Sequence, residues 1–224
     1  MSSMRREGFL MGGLANREYV AHIKKKYDLA PQNEQEKILN GIASMIEYSR
    51  DGRRSVNSIL EHVARMIFRL FGIREIGIGL KNRKDGLYRY EVVLGFRQEV
   101  KDNLMEIEYD SADILDNDKY PNIKIGKRAE FNPFDSMSEE EMRPYVNRPS
   151  LMNRKRTSHD LFLEGDYVFI WMHDADDKMI GWIELSCHKD GELPSRTDVR
   201  WLEAITEIVS LIVQQIWSKE KGHN

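Results

Sequence analysis

The chain of 224 residues has a single cysteine, Cys187, so no disulfide can close within it. A reducing compartment suits such a sequence, and the expected location is the cytoplasm. No apolar run approaches the roughly 18 residues that a membrane-spanning helix requires. Arg5 and Arg6 precede a short apolar stretch, Phe9 to Ala15, but paired glycines interrupt it, and the expectation is an extension over residues 1–32 rather than a secretion signal. Charge of one sign is also missing: 34 basic residues stand against 37 acidic ones, a net charge of −3. That balance gives no electrostatic reason to expect nucleic acid or an anionic membrane as partner. The histidines follow no zinc-binding spacing, and there is no nucleophile elbow, phosphate-binding loop or kinase signature. With these absences the chain is not expected to be an enzyme, and it names no cofactor and no metal.

What is present is a patterned hairpin, YVFIWMHDADDKMIGWIELSCH, from Tyr167 to His188. In its first strand Tyr167, Phe169, Trp171 and His173 alternate with Val168, Ile170 and Met172, and successive strand side chains point to opposite faces. Asp174 to Lys178 is a polar turn. In the second strand Ile183, Leu185 and Cys187 fall on one face, and Ile180, Trp182, Glu184, Ser186 and His188 on the other. The sheet therefore has an aliphatic face suited to a helix layer and an aromatic-polar face suited to a ligand cavity or to packing beneath the long connection before it. If buried, Glu184 needs a partner, which Arg128, His159 or His173 could supply; at an edge it would see water.

Upstream, two amphipathic helices precede the first strand. Ile38, Leu39, Ile42, Met45 and Ile46 form one stripe; Val56, Ile59, Leu60, Val63, Ile67, Leu70 and Phe71 form the second, capped by Ser55 and stopped by Gly72. Ile76, Ile78 and Leu80 alternate with Gly77 and Gly79 in a strand, Asp85-Gly86 turns the chain, and a second strand runs to Phe96. Residues 97–165 form a long connection with a third strand expected around Met105, Ile107 and Tyr109, a short fourth over Arg128 to Phe131, and a capped helical turn after Ser138. The basic residues Arg148, Arg154, Lys155 and Arg156 lie in this connection, as a solvated surface or as a lid over an anionic ligand. Ser195 and Asp198 open a last helix carrying Leu202, Ile205, Val209, Ile212 and Ile216 at heptad spacing.

Four stretches resemble the GAF domain family, a PAS-related group of sensory modules: SVNSILEHVARMIFRLFGIREIGIGL (55–80), KDGLYRYEVVLGF (84–96), YVFIWMHDADDKMIGWIEL (167–185) and SRTDVRWLEAITEIVSLIVQQI (195–216). The resemblance implies an α+β fold, with an antiparallel sheet of about six strands, the first and last helices on one face, and the middle connection closing a pocket over the other. The domain would cover residues 33–219, followed by a tail at 220–224. The expected pocket residues are Gly77, Gly79, Arg128, His159, Phe169, Trp171, His173, Trp182 and Glu184. The resemblance further implies a small-molecule sensor that forms a homodimer through its terminal helices and signals to a separate partner protein. A ligand-free interaction module is the alternative. The cyclic-nucleotide motif of the family is missing, and one cysteine cannot run the thiol–disulfide cycle of the family's methionine sulfoxide reductases.

Overall fold

The structure, a computed structural model, describes residues 7–27, 33–136 and 138–221. By its contacts the chain divides into two compact units, 1–37 and 38–224. The first contains helix α1 (Glu7–Lys26), within the expected extension, and the opening turn of α2 (Glu34–Ser49). The remainder of α2 belongs to the second unit.

In the second unit α3 (Val56–Phe71) begins where Ser55 accepts a hydrogen bond from the Ser58 amide at 3.2 Å. It ends at Gly72, whose φ of 67° is left-handed and favours a residue without Cβ. The chain then enters β1 (Ile73–Lys81) and β2 (Tyr88–Leu94). Residues 97–165 carry α4 (Gln98–Met105), the one-turn α5 (Ser111–Ile114), β3 (Ile123–Lys124), β4 (Ala129–Asn132) and the one-turn α6 (Glu139–Met142). The expected strand around Met105 is instead the end of α4, and only an isolated bridge between Tyr88 and Tyr109 has strand character there. The hairpin is β5 (Tyr167–His173) and β6 (Met179–His188), and α7 (Arg196–Lys221) closes the unit. Ser195 and Asp198 form the reciprocal cap: Ser195 Oγ accepts from the Asp198 amide at 3.1 Å and donates to its carboxylate at 2.7 Å.

Among the described residues, six strands form one antiparallel sheet in the order β2-β1-β6-β5-β4-β3. The fold is α+β. On one face Ile76, Ile78, Val168, Ile170, Met172, Ile183 and Leu185 bury against Ile59, Leu60, Val63 and Ile67 of α3 and Leu202, Ile205 and Val209 of α7. The opposite face carries Tyr88, Tyr90, Tyr167, Phe169, Trp171 and Trp182, covered by Val100 and Leu104 of α4 and Ile114 of α5.

The division of the hairpin holds through most of its length and fails at both ends of β6. A register shift at Met172/His173 sets His173 opposite Met179, which places Ile180 in the aliphatic core instead of on the aromatic face. At the other end Cys187 has φ 52°, a conformation few residues other than glycine adopt. This reverses the alternation. Cys187 Sγ lies 2.9 Å from Arg148 Nη2 rather than among the aliphatic side chains, and His188 Nε2 lies 3.0 Å from the Phe71 carbonyl at the end of α3 rather than over the aromatic face.

Candidate ligand cavity

A cavity of 780 Å³ lies over the aromatic-polar face of the sheet. Its floor is built from four strands: Glu75 of β1, Tyr90 of β2, Tyr167 and Phe169 of β5, and Glu184 and Ser186 of β6. Its roof is drawn from the connection between β2 and β5, including Tyr109, Lys119, Tyr120, Met142 and Tyr145. The volume lies within the ~300–1,000 Å³ of small-molecule sites.

Of the nine residues expected from the sequence, Phe169 and Glu184 line this space. Gly77 and Gly79 leave room on the correct face, but the chain's own rings occupy it. A Cβ on Gly77 would stand 2.7 Å from Tyr90 Cε1, and one on Gly79 would stand 2.2 Å from Trp182 Cη2. Trp182 is fully buried, edge-on to Tyr90 at 5.1 Å and to Tyr109 at 5.9 Å between centroids. Trp171 packs on Phe169 at 5.0 Å and donates its indole N–H to Glu130 at 2.8 Å. Aromatic packing thus fills the end of the face near Trp171 and Trp182, and the open space begins at Glu184. Arg128 is not near Glu184; it pairs with Asp177 and lies 3.7 Å from Glu207. His173 is close to that charged group, and burial together with Arg128 pushes its pKa down. His159 is exposed on the connection.

The actual partner of Glu184 is Tyr90, whose hydroxyl donates to Oε2. Burial pushes the Glu184 carboxyl up to about 7, against the Tyr90 hydrogen bond and with help from the charge of Glu75. Glu75 is likewise raised to about 7, chiefly by burial. Asn147 donates to its Oε1 at 2.7 Å. Glu75 was missed in the sequence, although it continues the alternation of Gly77 and Gly79 by one step. The tyrosines of the roof gave no such signal, since only their tertiary placement brings them together.

Two buried carboxylates fasten the roof. Asp166, with its side chain fully buried, receives Arg156 at 2.9 Å and the amides of Phe134 at 2.8 Å and Leu163 at 2.6 Å. Glu164 receives the Arg148 amide at 2.7 Å and its Nε at 2.8 Å. Two members of the basic run are therefore structural anchors, which neither reading of the run as surface or lid anticipated. Asn147 completes the attachment, accepting from the Arg97 amide at 2.7 Å and donating to the Gly95 carbonyl at 3.0 Å.

No protein-family model matches the sequence, and no curated protein matches it. Solved structures do match. The GAF domain of a phosphoenolpyruvate-protein phosphotransferase from Coxiella burnetii aligns with a TM-score of 0.52 and 8% identity, covering 85% of this chain and 99% of that one. The corresponding Acinetobacter domain gives 0.51 and 9%, covering 80% and 94%. The chain has the GAF-domain fold. The phycoerythrobilin-bound GAF domain of a cyanobacterial phytochrome aligns at 0.50 with 12% identity, covering 85% of this chain and all of that one. At these identities the GAF likeness concerns the arrangement of strands and helices, and the function has to be argued from the cavity.

Proposed function

We propose that the protein is a sensory module: it binds a small molecule in the cavity over the sheet and passes the binding event to a partner protein. The observation that carries this reading is the 780 Å³ space itself, bounded by the sheet below and a long connection above. A neighbouring GAF domain holding a bilin is consistent with ligand binding on this fold. Binding would favour one arrangement of the roof, and the anchors at Glu75, Glu164 and Asp166 would carry that preference into the sheet, a population shift between two states. Homodimerisation through the terminal helices belongs to the same reading. So does binding without catalysis: the one thiol, Cys187, contacts Arg148, and burial raises its pKa.

Native mass spectrometry of freshly purified protein, followed by thermal-shift screening against anionic, neutral and cationic metabolites, tests the proposal. A retained small molecule, or a compound that raises the melting temperature by several degrees, is the expected result. A chain that carries nothing and responds to no compound of any charge would favour the ligand-free interaction module, which the aromatic filling around Trp182 already suits in one half of the face.

A further inference from the structure

The chemistry of the cavity wall restricts what the proposed sensor can accept. Among the described residues, seven carboxyl side chains line the space, against one cationic group, Lys119. Lys119 is itself paired with Asp113. An anionic ligand such as a nucleotide would enter a field of its own sign.

The geometry is more specific than a group of acids. Strand register places Gly77 opposite Glu184 and Glu75 opposite Ser186. Glu75 and Glu184 are therefore diagonal neighbours on one face, roughly 7 Å apart by general sheet geometry. Gly77, opposite Glu184, contributes no side chain, and the Tyr90 ring packs over it. Glu184 is only 8% exposed. Its Oε2 accepts from Tyr90, while Oε1 has no hydrogen-bond partner among the described residues and is not sealed from the cavity. Open to the cavity, Oε1 is free to accept from a ligand that reaches it. Around it Tyr90, Tyr109, Tyr167 and Phe169 present aromatic surface. Ring faces attract cations, and aromatic walls with a carboxylate at the base are the means by which proteins hold ammonium groups.

We propose that the cavity takes a small organic cation, with its ammonium group set against Glu184 and Glu75 and its carbon body among the tyrosine rings. This rests on the sensor reading above and narrows it to one ligand class.

The test uses the full chain and two pairs of probes: choline with its uncharged isostere 3,3-dimethylbutan-1-ol, and tyramine with tyrosol. Cyclic GMP serves as the anionic probe, and isothermal titration calorimetry is the readout. At least one cation is expected to bind tenfold or more tightly than its neutral counterpart. Glu184→Gln should weaken it at least tenfold, and Glu75→Gln should weaken it in the same direction. Tyr109→Leu, which retains apolar bulk without the ring face, should weaken the cation more than the neutral probe. Near-ultraviolet circular dichroism confirms that each variant is folded, and any one folded variant suffices for the comparison. Cation binding that survives both Gln substitutions would overturn the proposal. So would stronger binding of the neutral or anionic probes, an outcome that leaves the sensor reading intact. Failure of every probe, together with the failed metabolite screen, would overturn both.

Discussion

Glu184 and Glu75 are each less than a tenth exposed, and each has a carboxyl pKa of about 7 in the fold against an ordinary 4.5. The sign follows from linkage. Both groups hold their protons more tightly in the folded chain than in the unfolded one. Their contribution to stability is complete below pH 4.5 and is lost as pH rises through 7. Glu184→Gln keeps an oxygen to accept from Tyr90 and cannot ionise. At pH 8 it should melt higher than the parent, by an amount on the order of 1–3 kcal/mol of stability, and the advantage should shrink towards zero at pH 5. Thermal melts across that range measure it; a variant equally destabilised at both pH values would show that Glu184 is held as a stabilising carboxylate. At this scale the sequence was legible in part. Phe169 and Glu184 could be assigned to the cavity face because alternation along a strand is a local property. The partner of Glu184 could not, because Tyr90 reaches it from a different strand 94 positions earlier.

Elements are legible in the sequence where their pattern repeats and illegible where one residue breaks it. The stripes of α3 and α7 pack on the sheet as their spacing predicts. The exceptions have physical causes: the register shift beside Met172, the left-handed backbone at Cys187, and the continuation of α4 to Met105, where three apolar residues in alternation looked like a strand. The connection over residues 97–165 was the least legible because long-range ion pairs shape it more than periodicity does. Arg156 illustrates this. It reads as one charge in a basic run, yet its guanidinium neutralises a carboxylate that has no exposure at all. Arg156→Met should therefore leave Asp166 buried without its cation and cost on the order of 3 kcal/mol in urea unfolding. Lys155→Met, one position away on an exposed side chain, should change stability by less than about 0.5 kcal/mol. Equal small effects from both would mean that the amides of Phe134 and Leu163 satisfy Asp166 without the arginine.

For the whole molecule, the two faces of the sheet divide the work. One face buries the helices in an aliphatic core; the other joins a filled aromatic half to an open acidic half. Under the proposed function a signal from the cavity would have to cross the sheet to reach α3 and α7, and β6 offers a direct route, since Glu184 faces the cavity while the adjacent Ile183 and Leu185 face the helices. Beyond those helices the surface is not wholly polar. Leu211 of α7 is 65% exposed, although Leu202, Ile205, Val209 and Ile212 of the same helix are buried. An apolar side chain on the outer side of a helix whose inner stripe is already satisfied suits a second copy of the chain, the homodimer proposed above. Light scattering after gel filtration should give twice the 26.3 kDa of one chain. Leu211→Glu should move the mass towards 26.3 kDa with little loss of stability, because Leu211 is absent from the core that holds α7 to the sheet. A parent protein that is monomeric at high micromolar concentration would remove the dimer from the proposal and direct the search for output to a contact with a different protein. A dimer indifferent to Leu211→Glu would place the interface away from the outer side of α7, and the route through β6 would then have to end on α2 or α3 instead.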